Sequence, residues 1–396
     1  MNEPKLRFKA DDGSEFPEWE EKTLGDIGTA KMCKRVLKEQ TSEKGDVPFY
    51  KIGTFGGTPD AFISRELYEE LKTKYSFPRK GNILLSAAGT IGRTVVYDGQ
   101  DAFFQDSNIV WLDNDDSVLD GFLLQFYNKT SWDNLEGGTI KRLYNGLFLS
   151  KVIHVPSLPE QQKIAELLST IDTVIEKQKE TVSAWEERKK GVMQKLFSQE
   201  IRFRADDGSE FPEWEEKKIG DLFYKVNERN NGQFGKDKWI SVAKMYYQDE
   251  DKVTSNNIDT RTYVMRVGDM SFEGHPNKEF KYGRFVVNDI GDGIISELFP
   301  IYRHKENYIL KYWKYAIQVD SIMQKVYRKS ITSSGSSSNK LDDDDFKRQS
   351  ILVPCLAEQQ KIADCLSSLD EVIEKQKATL AAWEELKKGL LQQMFV

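Results

Sequence analysis

The chain has 396 residues, enough for two or three domains with their own cores, and a formal net charge of −7. No apolar run reaches membrane-spanning length and the start Met1-Asn2-Glu3-Pro4-Lys5 has no signal-peptide core, which points to a cytoplasmic protein with no membrane contact. Its three cysteines, Cys33, Cys355 and Cys365, are odd in number and form no CxxC pair, so they read as buried fillers, not as a disulfide framework or a zinc site.

Residues 7–27, RFKADDGSEFPEWEEKTLGDI, return almost unchanged at 202–222 as RFRADDGSEFPEWEEKKIGDL. Asp12-Gly13 and Asp207-Gly208 are turn signals, while Phe16-Pro17 and Phe211-Pro212 force an extended approach to Trp19 and Trp214. The pattern predicts a structural clip over 1–30 and again over 200–222, with aromatic residues that dock on a helix. Glu20-Glu21-Lys22 superficially resembles a nuclease carboxylate-lysine signature, but no acidic partner motif accompanies it.

Residues 31–155 form a first unrepeated domain of mixed α/β character. A strand over 48–53 enters a glycine turn, and Ser64 caps a short helix carrying Leu67, Tyr68 and Leu71. Strand runs follow at 82–85, 94–97 with an Asp98-Gly99 turn, and 108–112, then a helix with Phe122, Leu123, Phe126 and Tyr127. The glycine loop over 87–94 departs from phosphate-loop spacing and lacks its lysine, so it reads as a turn that offers Arg93 and backbone amides to a phosphate. Gly137-Gly138 and the basic, polar stretch 141–146 close the domain.

The helix predicted over 158–197, within a segment 156–199, is written twice: 356–395, within 355–396, matches it at about two-thirds of positions. In the first copy Ile164, Leu168, Ile171, Ile175, Gln178, Val182, Trp185, Lys189, Val192 and Leu196 alternate in steps of four and three. In the second, Ile362, Leu366, Leu369, Ile373, Gln376, Leu380, Trp383, Lys387, Leu390 and Met394 do the same. This is the seam of a coiled coil, with a polar Gln and Lys inside each. The repeat order predicts antiparallel pairing, with Ile164 facing Met394, Trp185 facing Ile373 and Trp383 facing Ile175, and it brings the two chain ends close together.

The second unrepeated domain spans 223–354, with strands predicted over 239–245, 284–287 and 293–302 and an aromatic-rich helix over 308–327. A Ser-rich loop, 333–340, follows. Charge separates the two kinds of segment: residues 1–30, 156–217 and 355–396 carry −4, −4 and −2, while 31–155 is neutral and 218–354 has a small basic excess. The unrepeated domains can thus meet a polyanion while the acidic repeated scaffold faces protein.

Catalytic patterns are missing. His154, His275 and His304 have no ligand-like spacing, and neither GxSxG, HExxH, NPPY nor FxGxG occurs. Long or polar residues suited to contact phosphates or base edges lie in the loops: Lys51, Ser86, Thr90, Arg93, Lys141, Arg142, Tyr144 and Asn145 in the first domain. In the second they are Lys244, His275, Asn277, Lys278, Arg328, Lys329, Ser334, Ser336, Asn339 and Lys340.

Paired EQQKIA helix starts, long duplicated helices and two divergent intervening domains resemble the specificity subunit of a type I restriction-modification system, over essentially the whole chain. The resemblance implies an antiparallel coiled coil joining two target-recognition domains, each reading one half of a split sequence in double-stranded DNA. It also implies a non-catalytic chain bound by two methyltransferase subunits that use S-adenosylmethionine. Two restriction subunits can add ATP- and Mg-dependent translocation and cleavage, and none of these cofactors belongs to this chain. The rival readings are a coiled-coil adaptor that binds proteins only and a self-contained nuclease or methylase, the latter set back by the missing motifs.

Overall fold

The computed structural model describes residues 4–132, 142–276, 280–332 and 338–395. The chain forms two compact units, Met1–Lys179 with Ala378–Val396, and Glu180–Lys377. Each long helix, Leu158–Phe197 and Leu356–Met394, therefore gives part of its length to each unit.

In the first unit a four-stranded antiparallel sheet orders Gly28–Lys31, Ile109–Asn114, Ile83–Ser86 and Thr94–Val96. Strand Ile83–Ser86 is buried throughout, which is why it reads as a continuous apolar run. Ile83 and Leu85 face one core with Phe122, Phe126 and Tyr127, whereas Leu84, with Ile109 and Trp111, faces a second core with Phe49, Phe103 and Tyr68. Ser64 caps helix Arg65–Lys74 as expected, its hydroxyl accepting from the Leu67 amide at 3.2 Å. Helix Asp120–Lys129 carries Phe122 into the core that also takes Ile164 and Leu168 of the central helix.

The second unit repeats the sheet order with Phe223–Val226, Ile301–His304, Met270–Glu273 and Arg284–Val287. Three predicted elements are shorter here. The run over 239–245 is a strand only at Ile240–Ser241; the chain then turns at Met245, with φ 50°, and returns as Tyr246–Tyr247. The run over 293–302 splits into Gly293–Ser296 and Ile301–His304 around a turn closed by Phe299 N–H on the Ser296 carbonyl, just before Pro300. The helix over 308–327 becomes Leu310–Ala316 and Asp320–Ser330.

Within each unit the two long helices run antiparallel. In the first, Leu391, Met394 and Phe395 share a core with Ile164 and Leu168, and Lys387 Nζ lies 2.5 Å from Asp172 Oδ1. In the second, Leu196 and Phe197 share a core with Ile362 and Leu366, and Lys189 lies 2.6 Å from Asp370. The seam lysines thus find carboxylates across the seam, and each aspartate also accepts from the unrepeated domain of its own unit: Asp172 from Gln125 at 3.1 Å, Asp370 from the Tyr315 hydroxyl at 2.7 Å. Ile171, Ile175, Val182 and Ile373 are buried, while Leu369, Leu380 and both seam tryptophans are only partly so. Trp185 packs under the Arg188 guanidinium, 5.2 Å from the ring centre. Of the cysteines, Cys33 is buried, and Cys355 and Cys365 are partly exposed, contrary to the expectation of three buried fillers.

Candidate nucleic-acid interface

The first unit gathers four loop segments beyond one end of its sheet. Ser86 ends the central strand; its hydroxyl donates to the Thr90 carbonyl at 2.5 Å and accepts from the Arg93 amide at 2.8 Å, folding the glycine loop back on itself. Gly92 sits at φ +87° with the Trp132 ring where a Cβ would stand, so this turn admits only glycine. The loop is tied to its neighbours by Ala87 N–H on the Asn108 carbonyl at 2.8 Å and Leu143 N–H on the Ala87 carbonyl at 2.9 Å. Ile52 N–H donates to Gln105 Oε1 at 2.9 Å.

These ties bring together Lys51, Thr90, Arg93 and Arg142, all named from the sequence, and give each a definite posture. Arg93 is exposed and donates to the Phe55 carbonyl at 2.6 Å; Arg142 is half-buried and donates to the Ser107 carbonyl at 2.6 Å. Lys51 pairs with Asp60 at 2.9 Å. Tyr144, 59% exposed, and Asn145 open the short helix Asn145–Leu149 beside them. Ser86 is a correction: it is fully buried with its hydroxyl engaged on both sides, so it shapes the loop and faces no solvent. Gln105 and Ser107, which hold this arrangement, were not singled out from the sequence; the Asp-Ser-Asn turn signal at 106–108 marks the place.

In the second unit His275, Asn339 and Lys340 meet in a cleft of about 420 Å³ that Lys225 and Asn227 also line. Asn339 N–H donates to the Gly274 carbonyl at 2.8 Å, and His275 Nδ1 lies 2.5 Å from Glu273 Oε1 with its ring exposed. Lys225 and Asn227 were missed because they leave a strand end with no turn signal of their own. Lys244, Arg328 and Lys329 are exposed but do not line this cleft. Lys141, Asn277, Lys278, Ser334 and Ser336 lie outside the described residues.

The repeated helix start is a clasp for the clip. Glu160, fully buried, accepts from Arg7 at 3.1 and 2.8 Å and from the Trp19 indole at 3.1 Å, while Lys163 reaches Asp11 at 2.5 Å. In the second unit Glu358 takes Arg202 at 3.1 and 2.9 Å and Trp214 at 3.0 Å, and Lys361 reaches Asp206 at 2.5 Å. The strand of each clip then pairs with the strand that precedes its helix, Glu20–Thr23 with Val152–Val155 and Glu215–Lys218 with Ser350–Val353. Each unrepeated domain is thereby tied at both ends to the start of one long helix.

Among the described residues no helix is long and apolar enough to cross a membrane, and no group of His, Cys, Asp and Glu side chains is placed to hold a metal ion. Residues 17–183 and 212–382 match the family model of the type I restriction modification DNA specificity domain. A putative type I restriction enzyme specificity subunit of Haemophilus influenzae, S.HindORF215P, is 56% identical over 152 residues; the match spans 38% of this chain and 40% of that relative's length. The type I restriction enzyme MjaVIII specificity subunit of Methanocaldococcus jannaschii is 24% identical over 72% of each chain. The crystal structure of the type I restriction-modification S subunit from M. genitalium shares the fold, with a TM-score of 0.56 at 15% identity over 100% of this chain and 99% of that one. With one copy of the specificity domain in each half, the chain belongs to the type I restriction-modification DNA specificity family.

Proposed function

We propose that this chain is the non-catalytic DNA-recognition subunit of a type I restriction-modification complex and works in the cytoplasm, each recognition domain reading one half of a bipartite site in double-stranded DNA. The observation that carries this reading is the first unit's loop cluster, in which Thr90, Arg93, Tyr144 and Asn145 stand exposed on segments pinned by main-chain hydrogen bonds. Rigid loops of this kind suit phosphate contacts that position and base-edge contacts that specify. Two methyltransferase subunits bound to the paired helices supply S-adenosylmethionine chemistry on adenine, and two restriction subunits can join them with ATP and Mg.

A gel-shift with the purified methyltransferase subunits, followed by methylome sequencing of cells carrying the complex, tests it. Arg93→Ala or Arg142→Ala should cost roughly 1–3 kcal/mol of binding if the residue reads a base, and relax only one half of the modified motif. An assembled complex that shifts no DNA, or a methylation motif untouched by both changes, rejects the assignment of this loop cluster.

A further inference from the structure

The two units pass from sheet to helix through turns of equal length, 115–119 after strand Ile109–Asn114 and 305–309 after strand Ile301–His304. Both turns begin alike, with Asp115 N–H on the Ile27 carbonyl at 2.8 Å and Lys305 N–H on the Leu222 carbonyl at 2.9 Å. They end differently. In the first unit the turn folds onto Gln161, whose Oε1 accepts from Leu119 N–H at 2.8 Å while its Nε2 donates to the carbonyls of Ser117 and Pro156, each at 2.9 Å. Asn114 holds the Val118 carbonyl at 2.7 Å beneath it.

In the second unit His304 stands at the place of Asn114 and Tyr308 at that of Val118. The two rings stack at 3.7 Å and 8°, and the Tyr308 hydroxyl rests where Gly268 has no side chain. The turn is held toward that stack. Gln359, 5% exposed, keeps its Nε2 bond to the Pro354 carbonyl at 2.9 Å, but its buried Oε1 has no partner among the described residues, nor has His304 Nε2. A buried acceptor left unpaired in this way pays its desolvation without return. Beside it opens a cleft of about 860 Å³, floored by Leu222, Trp313, Val353 and Leu356.

We propose that this cleft is a docking site for a turn of a partner polypeptide, whose main-chain N–H bonds Gln359 Oε1 as Leu119 N–H bonds Gln161 Oε1 in the first unit. The rim bears three carboxylates, Glu213, Glu215 and Glu306, against Lys217 and Lys305, which disfavours a nucleic-acid backbone. The apolar floor takes aliphatic side chains, the part Val118 and Leu119 supply in the first unit. A partner carbonyl would take the second hydrogen of Gln359 Nε2, as the Ser117 carbonyl takes that of Gln161. The site is one-sided: the first unit fills its own copy.

Cys355 lines the cleft and is partly exposed, which makes it a reporter. The test is the rate of its alkylation by iodoacetamide in the full-length chain, read by mass spectrometry, with Cys365, in the helix that begins just after Cys355, as reference. The probe is acetyl-Ser-Val-Leu-amide, the sequence of 117–119. At a peptide concentration about twice its dissociation constant, Cys355 should react roughly threefold more slowly and Cys365 unchanged. Gln359→Met should lose this protection. Tyr308→Val should let the chain's own turn close the cleft and protect Cys355 without peptide, each variant being checked for folding by circular dichroism. Unchanged Cys355 reactivity with peptide in the native chain, or protection that persists in Gln359→Met, overturns the proposal; protection by a DNA duplex instead overturns the choice of a polypeptide.

Discussion

Glu160 and Glu358 show how much a single buried carboxylate can organise. Each is enclosed, at 0% and 1% exposure, and each satisfies an arginine and an indole from a clip more than 140 residues distant in sequence. Removing one partner of such a pair leaves the other charge uncompensated, so Glu358→Ala should destabilise by about 3–5 kcal/mol in urea unfolding, whereas alanine at the exposed Glu371 should change little. His304 gives a second residue-scale expectation. Burial lowers its pKa from 6.5 to about 3, so the unfolded chain binds a proton that the folded one refuses. Its contribution to stability is complete above pH 6.5 and falls as the pH is lowered toward 3. His304→Asn, which restores the residue found at the matching place in the first unit, should flatten the melting temperature between those limits relative to the native chain; parallel profiles would refute the assignment.

Among the elements, the seam lysines tie helix to helix and helix to domain. Lys387 and Lys189 each reach across to an aspartate that also holds a side chain of a recognition domain, so one carboxylate joins two helices and a domain. Asp172 and Asp370 are 35% and 40% exposed, and solvent screening keeps the ion pair modest. Asp172→Ala should therefore cost only about 1–2 kcal/mol in thermal or urea unfolding, and the double change with Lys387→Met should cost less than the sum of the two singles. Strict additivity would show that the pair is not coupled.

For the whole molecule, equivalent hydrogen bonds close the repeat at two places. Ile201 N–H donates to the Lys195 carbonyl at 3.3 Å where the central helix runs into the second clip. Leu6 N–H donates to the matching Gln393 carbonyl at 2.9 Å, joining the first clip to the end of the C-terminal helix, so the two chain ends meet as the repeat order predicts. The boundary between units falls after Lys179 and after Lys377, one residue beyond Gln178 and Gln376. Inserting one matching heptad after each glutamine adds about 10 Å of helix, equivalent to about three base pairs and a rotation of about 100° around B-DNA. The double insertion should fold but lose modification at the original site, and any recovered motif should keep both half-sequences and change only the gap. Methylome sequencing decides it: full modification at the original spacing would show that the helices do not set the gap.

Local sequence sets whatever is periodic or repeated. The seam positions, the paired clips and the Ser64 cap are written in local spacing and composition, and a duplicated segment must find duplicated surroundings. It also determined where the loop cluster of the first unit would be, because glycine turns and basic residues announce themselves along the chain. What depends on distant partners became visible in the folded chain. Ser86 looked like a donor to DNA until the strand buried it, Lys189 like a polar residue inside an apolar seam until Asp370 met it, and the EQQKIA repeat like a helix start alone until Arg7 and Trp19 closed over Glu160. Gln161 and Gln359, identical residues in identical motifs, differ in what reaches them: the turn carrying Val118 bonds the first, and the turn carrying Tyr308 leaves the Oε1 of the second without a partner among the described residues. No local pattern carries that, because a hydrogen bond is settled by which groups reach the same volume and not by their order in the chain.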